Sequence, residues 1–258
     1  MIVVIGDHGR IGPKLVSRLR PRCRDDVAIL SETWIEACSG AELGEALAGA
    51  RIVADLGSAC EIEGRETFDT FETSRRALLA AEATAGVGHH VALSVVGTER
   101  LLSSDRFRAK LAQEDLIKAA GIPYTILRAT QFFEFIQCIA EAGYDGDVIR
   151  LSPALVQPVA GDDVADVLAD VVLAPPLTAT IEVAGPEARP LDEFACEFLA
   201  ARGDRRRVIA DVRARYFGTS LNDRSLTPGD RPRLGATRFA DWLSRSTHAH
   251  PLLTSHPQ

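Results

Sequence analysis

The first twelve residues decide the fold, because Ile2-Val3-Val4-Ile5 runs directly into Gly6-Asp7-His8-Gly9-Arg10-Ile11-Gly12. The apolar run predicts a strand buried on both faces, and a helix is predicted after the loop. Between a strand and a helix, the glycine pattern G-x-x-G-x-x-G has the context that a phosphate-binding loop requires. The glycines permit a close backbone approach to a pyrophosphate, and the helix N-terminus presents unpaired N–H groups and partial positive charge. The segment therefore predicts a dinucleotide site.

Charged residues leave the choice of dinucleotide open. Asp7 places a carboxylate where the diphosphate would lie, and His8 is larger than the small residue expected there. Arg10 could offset Asp7, pair with it in an empty site, or bind the 2′-phosphate of NADP. Glu32 could accept hydrogen bonds from a ribose 2′-hydroxyl and favour NAD, or could be an ordinary solvated residue. The cofactor prediction is NAD(P), and the residues predicted to bind it here are Gly6, His8, Gly9, Arg10, Ile11, Gly12, Ser31 and Gly57.

Strands and helices alternate along the chain, which predicts an α/β fold with a Rossmann-like, doubly wound parallel sheet. Strands are predicted at 2–5, 27–30, 51–55, 90–96 and 124–127, and helices at 41–48, 67–85, from Ser104 or Asp105 to Gly121, and at 131–142. After Gly143 the pattern loosens, with short strands at 147–151, 155–159, 180–183 and 208–210 and helices at 162–173, 191–202 and 236–244. We expect a dinucleotide-binding domain at 1–143 with returning segments, a small C-terminal substrate lobe at 144–246, and a flexible tail at 247–258.

Composition narrows the class of protein. The 258 residues carry a net charge of −7 and are 46% hydrophobic, which favours a sizeable core and argues against a nucleic-acid or anionic-membrane partner. No apolar run reaches the length of a membrane span. The five cysteines include no C-x-x-C pair, which argues against a disulfide framework or zinc site. We expect no signal peptide, a cytoplasmic location, a small-molecule substrate, and a monomer or homodimer.

Several stretches beyond the glycine loop resemble the NmrA-like branch of the atypical short-chain dehydrogenase/reductases. These stretches are HHVALSVVGT at 89–98, FRAK at 107–110, GIPYTILR at 121–128, ATQFFEF at 129–135, QPV at 157–159, GDDVA at 161–165 and RFADWL at 238–243. The resemblance implies a Rossmann-type domain and a smaller C-terminal lobe with the substrate between them. Members of the family include NAD(P)H-dependent reductases and regulators that bind the dinucleotide without turnover.

The resemblance also implies catalytic positions. In fully catalytic members of the wider superfamily, a tyrosine four residues before a lysine donates a proton, while the lysine holds the nicotinamide ribose. Lys110 matches the lysine, but Arg106 stands at the tyrosine position, and its pKa above about 12 prevents it from donating a proton at neutral pH. Arg106 could bind an acidic substrate or stabilise an oxyanion; an exposed cationic pair with Lys110 is the alternative that we favour.

The resemblance also implies roles for residues at the end of the fourth strand. Ser94 is predicted to be catalytic, with a buried serine bonded to backbone as the alternative, and Val96 would contact the nicotinamide. His89 and His90 are neighbours on a strand and point in opposite directions, which argues against a shared metal. Asp162 and Asp163 indicate a helix start, and Phe135 favours core packing. The residues predicted to bind substrate are Gly97, Arg106, Thr130, Gln131, Phe132, Phe133 and Gln157.

The leading functional prediction is an NAD(P)H-dependent reductase of a small aromatic, quinone-like or enone substrate. Without the tyrosine, the proton would come from water, from Lys110 through water, or from the substrate. The alternatives are a non-catalytic, redox-sensing regulator that binds the dinucleotide, and a non-redox cyclase, dehydratase or isomerase.

Overall fold

The computed structural model describes residues 1–6, 11–57 and 65–249, with the backbone alone at 65–67 and 247–249. Residues His8, Gly9 and Arg10 of the predicted site therefore lie outside the described residues. The elements, in chain order, are β1 (Ile2–Ile5), α1 (Gly12–Leu19), β2 (Val27–Leu30), α2 (Glu32–Ala37), α3 (Gly40–Ala46), β3 (Ile52–Asp55), α4 (Arg65–Ala85), β4 (His89–Val95), α5 (Asp105–Ala119), β5 (Tyr124–Ala129), α6 (Ile136–Ala142), β6 (Val148–Leu151), β7 (Leu155–Val156), α7 (Gly161–Leu173), β8 (Ala179–Ala184), β9 (Arg189–Pro190), α8 (Leu191–Ala201), β10 (Arg207–Ala210), β11 (Arg233–Leu234) and α9 (Phe239–Ala249).

Within these residues, seven parallel strands form a central sheet in the order β11-β8-β5-β4-β3-β1-β2. The strands alternate their side chains between two apolar layers, as pleating requires. Val4 of β1 packs with α1 and α7 on one face, and Val3 packs with α2 to α5 on the other. The predicted doubly wound parallel sheet is confirmed.

The C-terminal half contributes to the large sheet and also builds a second core. Strands β8 and β11 extend the sheet beyond β5, and α7 packs beside α1. Helices α6, α8 and α9 instead enclose a separate apolar cluster beside the short β6–β10 sheet. Phe133, Phe194 and Phe239 lie at its centre, with ring centroids 5.0 Å apart from Phe133 to Phe239 and from Phe194 to Phe239.

A ladder of ion pairs aligns α1 with α7. Lys14 Nζ lies 2.5 Å from Asp162, Arg18 pairs with Asp166, and Arg22 lies 2.7 Å from Asp170. The four-residue spacing places Lys14 and Arg18 on one side of α1 and the three carboxylates on one side of α7, while Arg22 follows the end of α1. Such exposed pairs contribute at most about 1 kcal/mol each, so their main effect is to fix the register of the two helices. Asp162 is in the first turn of α7, as predicted for a helix start.

Several elements differ from the sequence prediction. The strand predicted at 155–159 ends at Val156, and the two-residue strands β9 and β11 were not predicted. The helix predicted at 131–142 begins with extended backbone, because Phe132 bridges to Val159 and the chain turns helical only from Phe133. The short helix α2, which buries only Ile35, was not predicted. Helix α9 starts later than predicted and enters the predicted tail, of which residues 250–258 lie outside the described residues.

No helix of the described residues combines the length and the apolar character that crossing a membrane requires. The described cysteines, Cys23, Cys38, Cys138 and Cys196, are unpaired, and Cys60 lies outside these residues.

The contact between β1 and α1 provides the first test of the fold. A Cβ at Gly12 would overlap the carbonyl oxygen of Gly6, whereas a Cβ at Gly44 of α3 would meet nothing within 4 Å. We expect Gly12→Ala to lower the free energy of unfolding by about 1–3 kcal/mol, the usual cost of overpacking. Gly44→Ala should raise it by about 0.4–1 kcal/mol by restricting the unfolded chain. Guanidinium unfolding of both variants checks the pair, and equal effects would contradict the close approach.

Candidate functional site

The strand order places a crevice at the carboxyl ends of β1 and β3. Strand β1 lies between β2 and β3, so the chain passes from β1 to β2 on one side and then crosses to β3 on the other side of β1. Ligands of open α/β sheets bind at such a switch point, outside the carboxyl ends of the strands. The register pairs Ile5 with Asp55, so Gly6 and Leu56 stand opposite each other at the rim of the crevice.

The start of α1 lies at this rim, against Gly6. Gly6 has φ +117°, a conformation that favours glycine, and Gly12 leaves no room for a Cβ against the Gly6 carbonyl. Ile11, which precedes α1, is buried in the core and gives the helix no side-chain cap. Among the described residues, the helix N-terminus therefore begins against β1 without a side chain that caps its first amides, an arrangement that suits a phosphate.

An ion pair spans the rim from β2 to β3. Glu32, the first residue of α2, accepts a hydrogen bond of 2.8 Å at Oε1 from Nη2 of Arg75 in α4. The Arg75 side chain is only 1% exposed. Both groups lie on Gly57, where a Cβ would overlap Nη2 and would be 2.9 Å from Glu32 Oε1. Ser31, the neighbouring predicted residue, shares a 2.7 Å hydrogen bond with Thr33.

A buried carboxylate lies beneath this pair. Asp55 is 1% exposed and accepts hydrogen bonds from Gly57 N at 2.9 Å and from Gln113 Nε2 at 2.7 Å. Its Oδ2 is 3.6 Å from Arg75 Nε. Burial raises the pKa of Asp55, but the charges of Arg75, His90 and Lys110 outweigh burial and hold the pKa below its usual value. Asp55 is therefore ionised and anchors the surrounding cations.

Lys110 binds the protein from inside the same cluster. Its Nζ donates to Gly57 O at 2.5 Å, to Leu93 O at 2.9 Å and to Gln113 Oε1 at 2.9 Å. These three acceptors connect β3, β4 and α5. The predicted contact with a nicotinamide ribose, which remains a prediction, would require Lys110 to exchange one of them.

Arg106 does not form the exposed cationic pair with Lys110 that the sequence favoured. The Lys110 side chain is buried, and the Arg106 guanidinium lies over the Phe217 ring at 4.7 Å from its centroid. Phe217 has φ +44°, a strained conformation for an aromatic residue. Helix α5 was predicted correctly, but the partner of Arg106 comes from a loop more than a hundred residues away, for which the sequence gives no local signal.

Ser94 faces α5 and is buried. It donates a 2.6 Å hydrogen bond to Glu114, which also binds Arg128 through Nε at 2.8 Å and Nη2 at 2.7 Å. Burial raises the pKa of Glu114, but the hydrogen bonds from Arg128 and Ser94 reverse this and lower it. The partner of Ser94 is therefore a carboxylate and not the backbone, and its predicted catalytic role remains a prediction.

Some of the predicted substrate residues form side-chain hydrogen bonds within the protein, and one does not. Thr130 Oγ1 donates to Gln157 O at 2.6 Å, and Gln157 Nε2 donates to Gly185 O at 2.7 Å. Gln131 is 8% exposed, and within the described residues neither its Oε1 nor its Nε2 has a hydrogen-bond partner. Gln131 is thus the predicted substrate residue whose buried amide has no described hydrogen-bond partner.

The remaining residues that were predicted to contact the cofactor or the substrate pack against other parts of the protein. Val96 is fully buried, and a Cβ at Gly97, which has φ +92°, would overlap Ser225 O. Phe133 belongs to the second core, while Phe132 stacks on Phe135 at 5.6 Å between ring centroids. These positions indicate packing between the sheet and the C-terminal elements.

A groove of about 610 Å³ lies between α2 and α4. Ile35 and Glu36 line it one helical turn beyond Glu32, opposite Asp69 and Thr73 of α4. The sequence prediction missed this groove because it missed α2.

His89 and His90 have different surroundings, as their opposite directions predicted. His89 Nε2 lies 3.0 Å from Thr125 Oγ1, whereas His90 Nδ1 lies 2.8 Å from Glu82. Burial and the charge of His90 lower the pKa of His89 to about 4. Burial also lowers the pKa of His90, but the Glu82 carboxylate outweighs it and raises the pKa above the usual value. Within the described residues, no group of three histidine, cysteine or acidic side chains could hold a metal ion.

The shift at His89 predicts a loss of stability in acid. Because the folded ring resists protonation until about pH 4, the unfolded chain binds the extra proton below about pH 6.5. The contribution of His89 is therefore present above that pH and is lost as the pH falls. We expect NMR titration to show that the His89 ring is neutral at pH 5. Between pH 6.5 and 4.5, the free energy of unfolding should fall less for His89→Asn than for the unmodified protein. A His89 midpoint near 6.5 would contradict the burial.

The comparisons with known proteins define the class of fold. No family model matches the chain, and neither does any curated protein. Among solved structures, the chain is similar to an NADPH-dependent quinone oxidoreductase from Escherichia coli complexed with NADPH, with 19% identity, a TM-score of 0.65, and coverage of 82% of this chain and 78% of that one.

Two further structures match over nearly the whole chain. A dTDP-4-dehydrorhamnose reductase from Bacillus anthracis in complex with NADP has 14% identity, a TM-score of 0.73, and coverage of 96% of this chain and 99% of that one. A short-chain dehydrogenase/reductase superfamily protein from Agrobacterium tumefaciens with bound NAD has 15% identity, a TM-score of 0.68, and coverage of 96% of both chains. At these identities the similarity shows the fold, which is Rossmann-like.

Proposed function

We propose that this protein is an NAD(P)H-dependent reductase of a small quinone-like, enone or aromatic electrophile, of the NmrA-like type. The observation that carries the proposal is the close contact of Gly6 and Gly12 at the β1/β3 switch point. Such close backbone packing between the strand end and the helix start, which no described side chain caps, fits the strand–loop–helix turn that holds a dinucleotide diphosphate. The similarity to structures with NADPH, NADP and NAD supports the choice of ligand.

The residues of the rim supply the other contacts. Gly6, Gly12 and the first amides of α1 would hold the diphosphate, and Glu32 lies where an acidic residue meets the adenosine ribose in this fold. Lys110, on the far side of Gly57, would serve the nicotinamide half. The unpartnered amide of Gln131 would bind the substrate by donating and accepting hydrogen bonds.

The missing tyrosine restricts the substrate. When bound, a reduced nicotinamide supplies a hydride, so a quinone plus this hydride and one proton gives a hydroquinone. Arg106 cannot deliver the proton at neutral pH, and Lys110 Nζ is bonded to three protein acceptors. Quinones and enones give stabilised anions that take their proton from water, and they therefore suit this site better than simple ketones.

A non-catalytic dinucleotide-binding regulator is the second candidate. It is favoured by the inward-facing cations, since Lys110 binds Gly57, Leu93 and Gln113 while Arg106 lies over Phe217. Such a protein would bind NAD(P)H with similar contacts but would not reduce a substrate.

Titration calorimetry with NADH and NADPH, followed by a quinone panel monitored through the absorbance of the reduced nicotinamide, tests the proposal. We expect binding of at least one dinucleotide and its oxidation by a quinone. Binding without oxidation would favour the regulator, and binding of neither nucleotide would refute both functions.

The role of Lys110 can be tested separately. Loss of a hydrogen bond from a charged group costs about 1.5–3 kcal/mol, so Lys110→Met should weaken binding of the preferred dinucleotide by at least about tenfold. Lys118→Met, which removes a partly exposed lysine from the same helix, should change the affinity less than about twofold. Both variants are first compared by thermal unfolding. Unchanged affinity in a folded Lys110→Met protein would exclude the predicted ribose contact.

A further inference from the structure

We propose that the Glu32 carboxylate occupies, on Arg75, the place that the 2′-phosphate of NADP(H) would take, and that it thereby commits the crevice to NAD(H). This inference rests on the proposed function, which leaves the choice of nucleotide open. Arg75 had no predicted role, because its place at the rim is visible only in the fold.

The position of Glu32 is the first step. Glu32 follows β2 directly, yet its Oε1 lies against Gly57 at the end of β3. Strands β2 and β3 flank β1 and are therefore about 9–10 Å apart, twice the strand spacing. The side chain thus reaches across the end of β1, beside the glycine loop, where the adenosine ribose of a bound dinucleotide lies.

The surroundings of Arg75 are the second step. Its Nη2 is 2.8 Å from Glu32 Oε1, and its Nε is 3.6 Å from Asp55 Oδ2. Within the described residues, Nε and Nη1 have no hydrogen-bond partner although both are buried. A guanidinium with unused donors is suited to a phosphate, which it can bind through two parallel hydrogen bonds. In this protein the Glu32 carboxylate binds Nη2, where a phosphate would otherwise bind.

The charge of the rim is the third step. Glu32 and Asp55 together balance Arg75 and the adjacent Lys110, so these four described side chains carry no excess positive charge to attract a dianion. The groove one turn beyond Glu32 is lined by two further carboxylates, Glu36 and Asp69. A 2′-phosphate would meet like charge on both sides, whereas a 2′-hydroxyl can donate a hydrogen bond to Glu32.

Calorimetry with NADH and NADPH tests the inference on three proteins. The unmodified chain should bind NADH at least about tenfold more tightly than NADPH. Glu32→Gln removes the charge that occupies Arg75, so NADPH affinity should rise and the NADH preference should fall by about tenfold or more. Glu45→Gln removes the same charge from an exposed position on α3, outside the groove, and should change the preference less than about twofold.

A double variant separates the arginine from general electrostatics. If Arg75 receives the 2′-phosphate, the gain in NADPH affinity from Glu32→Gln should disappear when Arg75→Met is added, and Arg75→Lys should restore part of it. Thermal unfolding identifies which of these variants remain folded. If Arg75→Met does not fold, the titration of Glu32→Gln with adenosine 2′,5′-bisphosphate and with adenosine 5′-monophosphate decides, because only the bisphosphate should gain affinity.

The results of these titrations distinguish a failure of this inference from a failure of the proposed function. A failure of both dinucleotides to bind any of the folded proteins would overturn the proposed function and the inference together. Equal or tighter binding of NADPH by the unmodified chain, or an unchanged preference in Glu32→Gln, would overturn the inference alone.

Discussion

The buried carboxylate of Asp55 is the interaction on which the rim of the crevice depends. It sits at the end of β3 with 1% exposure, fixes the Gly57 amide, and binds Gln113 from α5 while facing Arg75 from α4. An unpaired charge at this depth would be costly, so the paired cations and donors are a condition for the fold. The cluster therefore determines how β3, α4 and α5 meet at the crevice.

The same cluster links the two ends of the proposed cofactor site. Arg75 connects Asp55 to Glu32 on the adenosine side, and Gln113 connects it to Lys110 on the nicotinamide side. Gly57 touches both cations, since Arg75 lies on its Cα and Lys110 binds its carbonyl. In the proposed site, a nucleotide bound at one end would therefore meet groups that are linked through Asp55 and Gly57 to the lysine at the other.

Much of the fold follows from local sequence patterns. Strands β1 and β2 were predicted to the residue, and α5 was recognised from its caps, because apolar runs and capping residues act through near neighbours. Helix α2 was missed because it buries only Ile35, which leaves almost no periodic signal. The extended start at Gln131 and Phe132 was missed because its hydrogen bonds go to Val159, on a distant segment.

The sequence by itself determined that this chain opens with a strand, a glycine loop and a helix, because steric freedom at Gly6 and apolar burial in β1 are properties of adjacent residues. It also determined that an arginine, Arg106, stands four residues before Lys110. Only the tertiary structure decided what the charged residues bind: Glu32 meets Arg75 across 43 positions, and Lys110 meets Gly57 across 53. Charge partners separated in this way depend on how helices cross the sheet, and no local pattern records that geometry.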